Sequence, residues 1–351
     1  MITYFPDAYP DELFYSVIAR FFIHSGKQDL NELYRHNINN SMFDMDSSAP
    51  ISAELAELIS RKEPLEDYFL SHTMIPYYGR FKGKAKAETV CRAIYSDSKG
   101  CVSHNKSPVG YKRSLKYCPL CVSNDRKIYG ETYWHRIHQI PEAEICPVHQ
   151  CRLLIADIPF KYKNVCGLFT AEEYSCNNEV LYIKNELEIY FTNYLTDSLT
   201  IPLTDICKKD VSDHLHYLLF KNGYYTAYPP KRKLGLLLND INKRYSSMRE
   251  KIIHSTKVLN DTLFVKNSYP YTILLLFHYF GVSISELNKN LSDPGFVPIN
   301  DLVLKMFCSE KTFKEISECL EIPYEYIFDL CSYFTAQGLS EPIMFEKAAF
   351  L

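Results

Sequence analysis

Three features of the 351-residue chain predict a mainly α-helical fold with a small zinc-ribbon β unit: apolar residues at helical spacing over most of its length, two close Cys/His pairs mid-chain, and two helix–turn–helix phrases towards the end. The predicted fold class is therefore helix-turn-helix subdomains flanking a Cys3His zinc finger. The expected boundaries are a helical domain over 1–105, a zinc-ribbon unit over 106–180 and a helical domain over 181–351.

The helices follow in order. Asp11 to Gly26 carries Leu13, Phe14, Val17, Ile18, Phe21 and Phe22 on one face, with Asp11 as the expected cap and Gly26 as the stop. Ala53–Ile59 and Leu65–Leu70 flank Pro64, and Lys86–Tyr95 is also helical. Residues 101–117 lose periodicity and read as a linker. Helix resumes at Asn185, an N-cap residue, and again over Lys233–Tyr245 after Pro229-Pro230. Ile273–Phe280, Gly281 and Ile284–Leu291 form one helix–turn–helix phrase; Lys311–Leu320, Glu321-Ile322-Pro323 and Tyr324–Phe334 form the other.

Between the helices lie Cys118-Pro-Leu-Cys121 and Cys146-Pro-Val-His149. Two tight pairs aim four N/S donors at one point, which reads as a single structural Zn2+ held by Cys118, Cys121, Cys146 and His149. His135 and His138 are the alternative ligands. Four ligands close the shell, whereas a catalytic zinc keeps one position for water. No HExxH, GxxxxGK[ST], GxGxxG or GxSxG phrase occurs, so the expectation is a protein that is not an enzyme.

Charge is unevenly spread. The total is 39 Lys/Arg against 42 Asp/Glu, net −3. Residues 1–79 hold 5 against 12, residues 80–136 hold 13 against 4, and residues 231–251 hold 7 against 2. An acidic head and two basic segments suit one surface for protein and another for phosphate. The DNA-contact candidates are Lys112, Arg113, Lys116, Lys231, Arg232, Lys233, Lys243 and Arg244, with Ser283, Ser285 and Lys289 on the helix after Gly281. The last helix–turn–helix phrase carries Glu325 and Asp329 on its second helix and no Lys or Arg, so it is expected to avoid the major groove. Tyr4, Phe5 and Tyr9 are the candidate partner-binding aromatics. No apolar run reaches membrane-spanning length, and the start lacks a secretory pattern; a soluble, cytoplasmic, nucleoid-associated protein with no membrane partner is expected.

Several phrases resemble a known family. Phe5-Pro-Asp-Ala-Tyr-Pro-Asp-Glu-Leu13 with Ala19-Arg20, His72-Thr-Met-Ile-Pro-Tyr-Tyr78, Tyr117-Cys-Pro-Leu-Cys121, Tyr129-Gly-Glu131, Trp134-His-Arg136, His138-Gln139 and Cys146-Pro-Val-His149 are similar to the TnsD/TniQ transposition proteins. Glu142 stands where that family often has Gly. The resemblance implies a DNA-binding target-site selector of a TnsABCD-type transposon, which binds double-stranded DNA and recruits the AAA+ ATPase TnsC and with it the transposase subunits. The alternative it implies is a TniQ-type adaptor linking a CRISPR effector to TnsC with little DNA reading of its own.

Overall fold

The computed structural model describes residues 2, 4–26, 33, 50–96, 115–156, 158, 168–206, 208–226, 231–248, 253–266, 269–292, 299–320, 322–336 and 338. The chain divides into two compact units, Met1–Asp205 with Tyr269–Tyr271, and Ile206–Ser268 with Thr272–Leu351. The first unit thus holds the N-terminal helices, the Cys/His segment and residues up to 205 together, rather than dividing at 105 and 180.

In the first unit, α1 (Phe14–Ser25), α2 (Ala53–Ser60), α3 (Leu65–His72), α4 (Ile75–Gly79) and α5 (Lys84–Tyr95) precede β1 (Lys116–Tyr117) and α6 (Pro119–Tyr129). Then come β2 (Leu154–Ile155), α7 (Ala171–Tyr174) and α8 (Glu186–Thr200). The apolar face read from the sequence is the buried one: Phe14, Val17, Ile18 and Phe21 of α1 join Leu55, Ile59, Phe69, Cys91 and Ile94 in one core. β1 and β2 pair antiparallel, with Tyr117 opposite Leu154. Asn185 caps α8 as expected, its side-chain oxygen accepting from the amides of Leu187 and Glu188.

Asp11 does not cap α1. It sits at φ 56°, and its carboxylate accepts from Arg136 Nε at 3.1 Å and the Ile137 amide at 2.9 Å. A residue committed to a distant arginine cannot also serve the helix start, so α1 begins three residues later behind an uncapped Leu13. The helix α6 has no clear sequence signal. Its PLCVSNDRKIY sequence mixes polar residues that favour turns with a proline, yet Pro119 occupies the first turn, where its missing N–H costs nothing.

The second unit comprises α9 (Lys208–Lys221), β3 (Tyr225–Thr226), β4 (Lys231–Arg232), α10 (Leu234–Arg244), α11 (Thr256–Leu263), α12 (Pro270–Tyr279) from Thr272 onward, α13 (Ile284–Ser292), α14 (Ile299–Cys308), α15 (Phe313–Leu320) and α16 (Tyr324–Ala336). Gly281 at φ 77° makes the turn between α12 and α13, a backbone shape that suits glycine. Val303, Phe307, Phe313, Ile316, Ile322, Ile327, Leu330 and Phe334 form a core shared by α14, α15 and α16. Among the described residues no helix is long and apolar enough to cross a membrane.

Candidate metal centre

Two different local structures deliver the donors. Cys118 is the N-cap of α6 and Cys121 lies in its first turn, so the first pair is a helix start rather than a hairpin knuckle. The second pair rides a tight turn closed by the Gln150 amide on the Cys146 carbonyl, 2.8 Å, and by the Cys146 amide on the Cys151 carbonyl, 2.8 Å. Gln150 takes φ 52° to complete that turn.

The three sulfurs and a ring nitrogen of His149 lie within 4.8 Å of one another. Cys121 and Cys146 sulfurs are 3.7 Å apart. Nδ1 of His149 stands 3.5, 3.3 and 3.7 Å from the sulfurs of Cys118, Cys121 and Cys146. A tetrahedral ion with bonds of about 2.3 Å to sulfur and about 2.0 Å to nitrogen requires edges of about 3.8 Å and about 3.5 Å. The donor set therefore fits an ion of that size and softness.

Electrostatics point the same way. Hydrogen bonds from Cys121 and Cys146 hold the Cys118 thiol well below its usual range, and the N-terminus of α6 favours its thiolate. Cys121 is raised in turn by sharing its proton with Cys118, and Cys146 is pushed up to about 12 for the same reason. Three packed sulfurs cannot all ionise unless a cation sits among them.

His138 and Cys151 surround the four donors. His138 is fully buried, with Nε2 3.8 Å from the Cys121 sulfur and Nδ1 without a partner. A proton on Nε2 would be donated to that sulfur and leave Nδ1 as an acceptor. His135 turns away to Asp125 at 2.9 Å. The Cys151 sulfur lies 3.4 Å from Cys118. Its position two residues past His149, on the same turn, is the sequence signal that could have drawn it in.

The surrounding phrases tie this segment to α1. Trp134, fully buried, takes its amide to Ser16 Oγ at 3.1 Å and its indole N–H to the Phe169 carbonyl at 2.7 Å. Arg136 donates to the Leu70 and Thr73 carbonyls as well as to Asp11. Glu12 and Arg20 form a buried bidentate pair, which Ser16 and the Tyr9 amide complete. His72 donates Nδ1–H to the Glu12 carbonyl at 2.7 Å. Glu142 is fully buried and accepts from the hydroxyls of Tyr77 and Tyr269.

A family model described as TniQ matches residues 3–153, the span that contains all four donors. Residues 3–153 are thus similar to the TniQ family. The transposon Tn7 transposition protein TnsD of Escherichia coli is 29% identical over 153 residues, which cover 41% of this chain. The chain spans about 30% of that relative's length. The phrases that resemble that family thus include Trp134 and Arg136, which tie the Cys/His segment to α1 and α3.

The other predicted site residues fare differently. Lys116 is not available for phosphate: its ammonium is spent on the carbonyls of Ile140, Pro141 and Ala143 at 2.6, 3.2 and 2.6 Å. Arg80 and Arg136 of the same basic stretch are also buried on carbonyls, because a cation at the end of a long stem satisfies loop backbone better than water could reach it. Lys112 and Arg113 lie outside the described residues. Phe5 is not an exposed anchor; it is 4% exposed, packed 5.5 Å from the Phe21 ring. Tyr9 is held by Tyr129 and Tyr133, with Arg20 4.0 Å above its ring. Tyr4 remains exposed.

In the second unit, Lys233 and Lys243 are exposed. Lys231 pairs with Thr226 in the β3–β4 ladder, and its side chain, like that of Lys289, lies outside the described residues. Arg232 lies 4.9 Å over the Phe264 ring. Exposed Arg244 donates to the Tyr279 carbonyl at 2.9 Å, beside the turn that precedes α13. Ser283 caps α13 by accepting from the Glu286 amide at 3.0 Å, and Ser285 is exposed in that first turn.

Proposed function

We propose that this chain selects target sites for a Tn7-type transposon, with a TniQ segment organised around one structural zinc. The observation that carries the reading is the TniQ match over 3–153, whose phrases here serve a four-donor cluster with tetrahedral edges. Zinc would be held by Cys118, Cys121, Cys146 and His149 and would fix α6 against the Cys146 turn; with four protein donors it has no open position for a reacting water.

In this reading Lys233, Lys243 and Arg244, with Ser285 at the start of α13, contact double-stranded DNA, and α10 to α13 act as the helix–turn–helix reader. Their exposure and the position of Arg244 beside the α12–α13 turn support it. The TniQ segment then engages the AAA+ ATPase TnsC, which brings the transposase.

The test is a gel shift of the full chain on a duplex spanning the insertion locus and on a scrambled duplex, over a salt series. Charge reversal at Lys233, Lys243 and Arg244 should weaken both complexes and lower the log–log salt slope by about 0.9 for each phosphate no longer neutralised. Unchanged affinity and slope overturn the DNA assignment. Capture of TnsC without any duplex binding replaces it with the adaptor reading.

A further inference from the structure

The helices α14, α15 and α16 bury a common core, and the outward side of α16 is left with an unusual composition. Tyr324 and Phe328, one turn apart, are 43% and 40% exposed. Both rings lean edge-on against Phe313, at 6.4 and 5.7 Å, while staying at the surface. Glu325 and Asp329 run beside them at the same spacing, Glu325 exposed and Asp329 half-buried. From Glu315 to Glu346 the sequence contains no Lys or Arg. The nearest lysine on α15, Lys314, already faces Glu318 at 4.0 Å.

We infer that this aromatic and acidic face of α16 is a docking surface for a cationic protein segment, one presenting Arg or Lys beside an aliphatic side chain. Aromatic rings, with only two side-chain torsions to fix, give a cation a π face and an aliphatic group a contact at little entropic cost. The flanking carboxylates supply long-range attraction and a counter-charge. Burial and the neighbouring Glu325 raise the Asp329 carboxyl, so a cation placed there relieves an existing repulsion. Duplex DNA is disfavoured, because its phosphates would meet the same carboxylates. A second copy is disfavoured too, since a two-fold contact would set Glu325 and Asp329 against themselves.

The probe is a labelled amphipathic peptide of about four helical turns with Arg and Leu on one face, paired with a control bearing Glu for each Arg. Fluorescence anisotropy with the full chain, over a salt series, reads binding. The Arg peptide should bind and weaken with salt, the Glu peptide should not bind, and Phe328→Ala or the double variant Glu325→Lys/Asp329→Lys should lose about tenfold or more. Circular dichroism checks the fold, and Asp329→Asn, which keeps the shape, should weaken binding in the same direction. Equal binding of both peptides, or unchanged affinity in the variants, overturns the inference. So does a Phe328-dependent duplex shift, or a Phe328-dependent change of oligomeric state in sedimentation.

Discussion

Replacing Glu12 by Ala is the most direct test of how α1 is locked to the chain that leads into it. The Glu12 side chain is 0% exposed and that of Arg20 is 6% exposed. The carboxylate accepts from Arg20 Nε and a terminal guanidinium nitrogen, both at 2.8 Å, from Ser16 Oγ at 2.8 Å and from the Tyr9 amide at 2.9 Å. Its removal leaves the Arg20 cation with Glu131 at 3.1 Å and the Asp7 carbonyl at 2.7 Å. Stripping the partner from a buried charge costs about 3–5 kcal/mol. Glu131 offsets part of that, so a loss of about 3 kcal/mol is expected, a large share of the roughly 5–15 kcal/mol that holds a domain folded. Converting the pair together, Glu12→Leu with Arg20→Met, should recover much of the loss, since desolvation of both charges is then avoided. Trp134 is the only tryptophan, and its amide is bonded to Ser16, so urea unfolding followed by its fluorescence reports this junction. A loss below about 1 kcal/mol at unchanged urea slope, or a double variant as unstable as Glu12→Ala, would refute the reasoning.

Three further outcomes follow from the same geometry. Purified protein should carry one zinc per chain by elemental analysis; Cys146→Ser or chelation should release it and unfold the first unit, as metal binding in such sites contributes on the order of 10 kcal/mol of folding free energy. Phe5→Ala should lower stability by about 3 kcal/mol or more because a core ring is removed, whereas Tyr4→Ala should stay within about 0.5 kcal/mol; equal effects in thermal unfolding would contradict the burial difference. Burial depresses His214 and His278 to about 4, so the stability that their neutral forms confer is complete above the ordinary imidazole value near 6.5. It is lost as pH falls from there towards 4, and a flat acid-unfolding profile across that window would count against these two histidines as the cause.

Much of the fold was legible in the sequence because its cause is local. The α1 face from Phe14 to Phe21, the Asn185 cap and the Gly281 turn each follow from side chains within a few residues, and the structure keeps all three. The metal donors were legible for the same reason: two close pairs with proline pre-setting the backbone announce themselves without any knowledge of what lies between. Charge and exposure were legible only in part. Counting lysines and arginines in 80–136 suggested a phosphate surface; Lys84, Lys86, Arg92 and Lys127 are exposed, yet Arg80, Lys116 and Arg136 each spend N–H groups on carbonyls.

The sequence by itself determined helices such as α1, α8, α10, α12 and α13, and which four atoms can meet at one ion, since both depend on spacing along the chain. Only the tertiary structure decided that Asp11 serves Arg136 instead of its own helix, that Phe5 is core while Tyr4 is surface, and that Lys116 faces inward. Those outcomes depend on which groups from distant segments arrive at the same place. A buried cation or carboxylate must then take whatever partner is within reach, because leaving it unpaired costs more than any local preference.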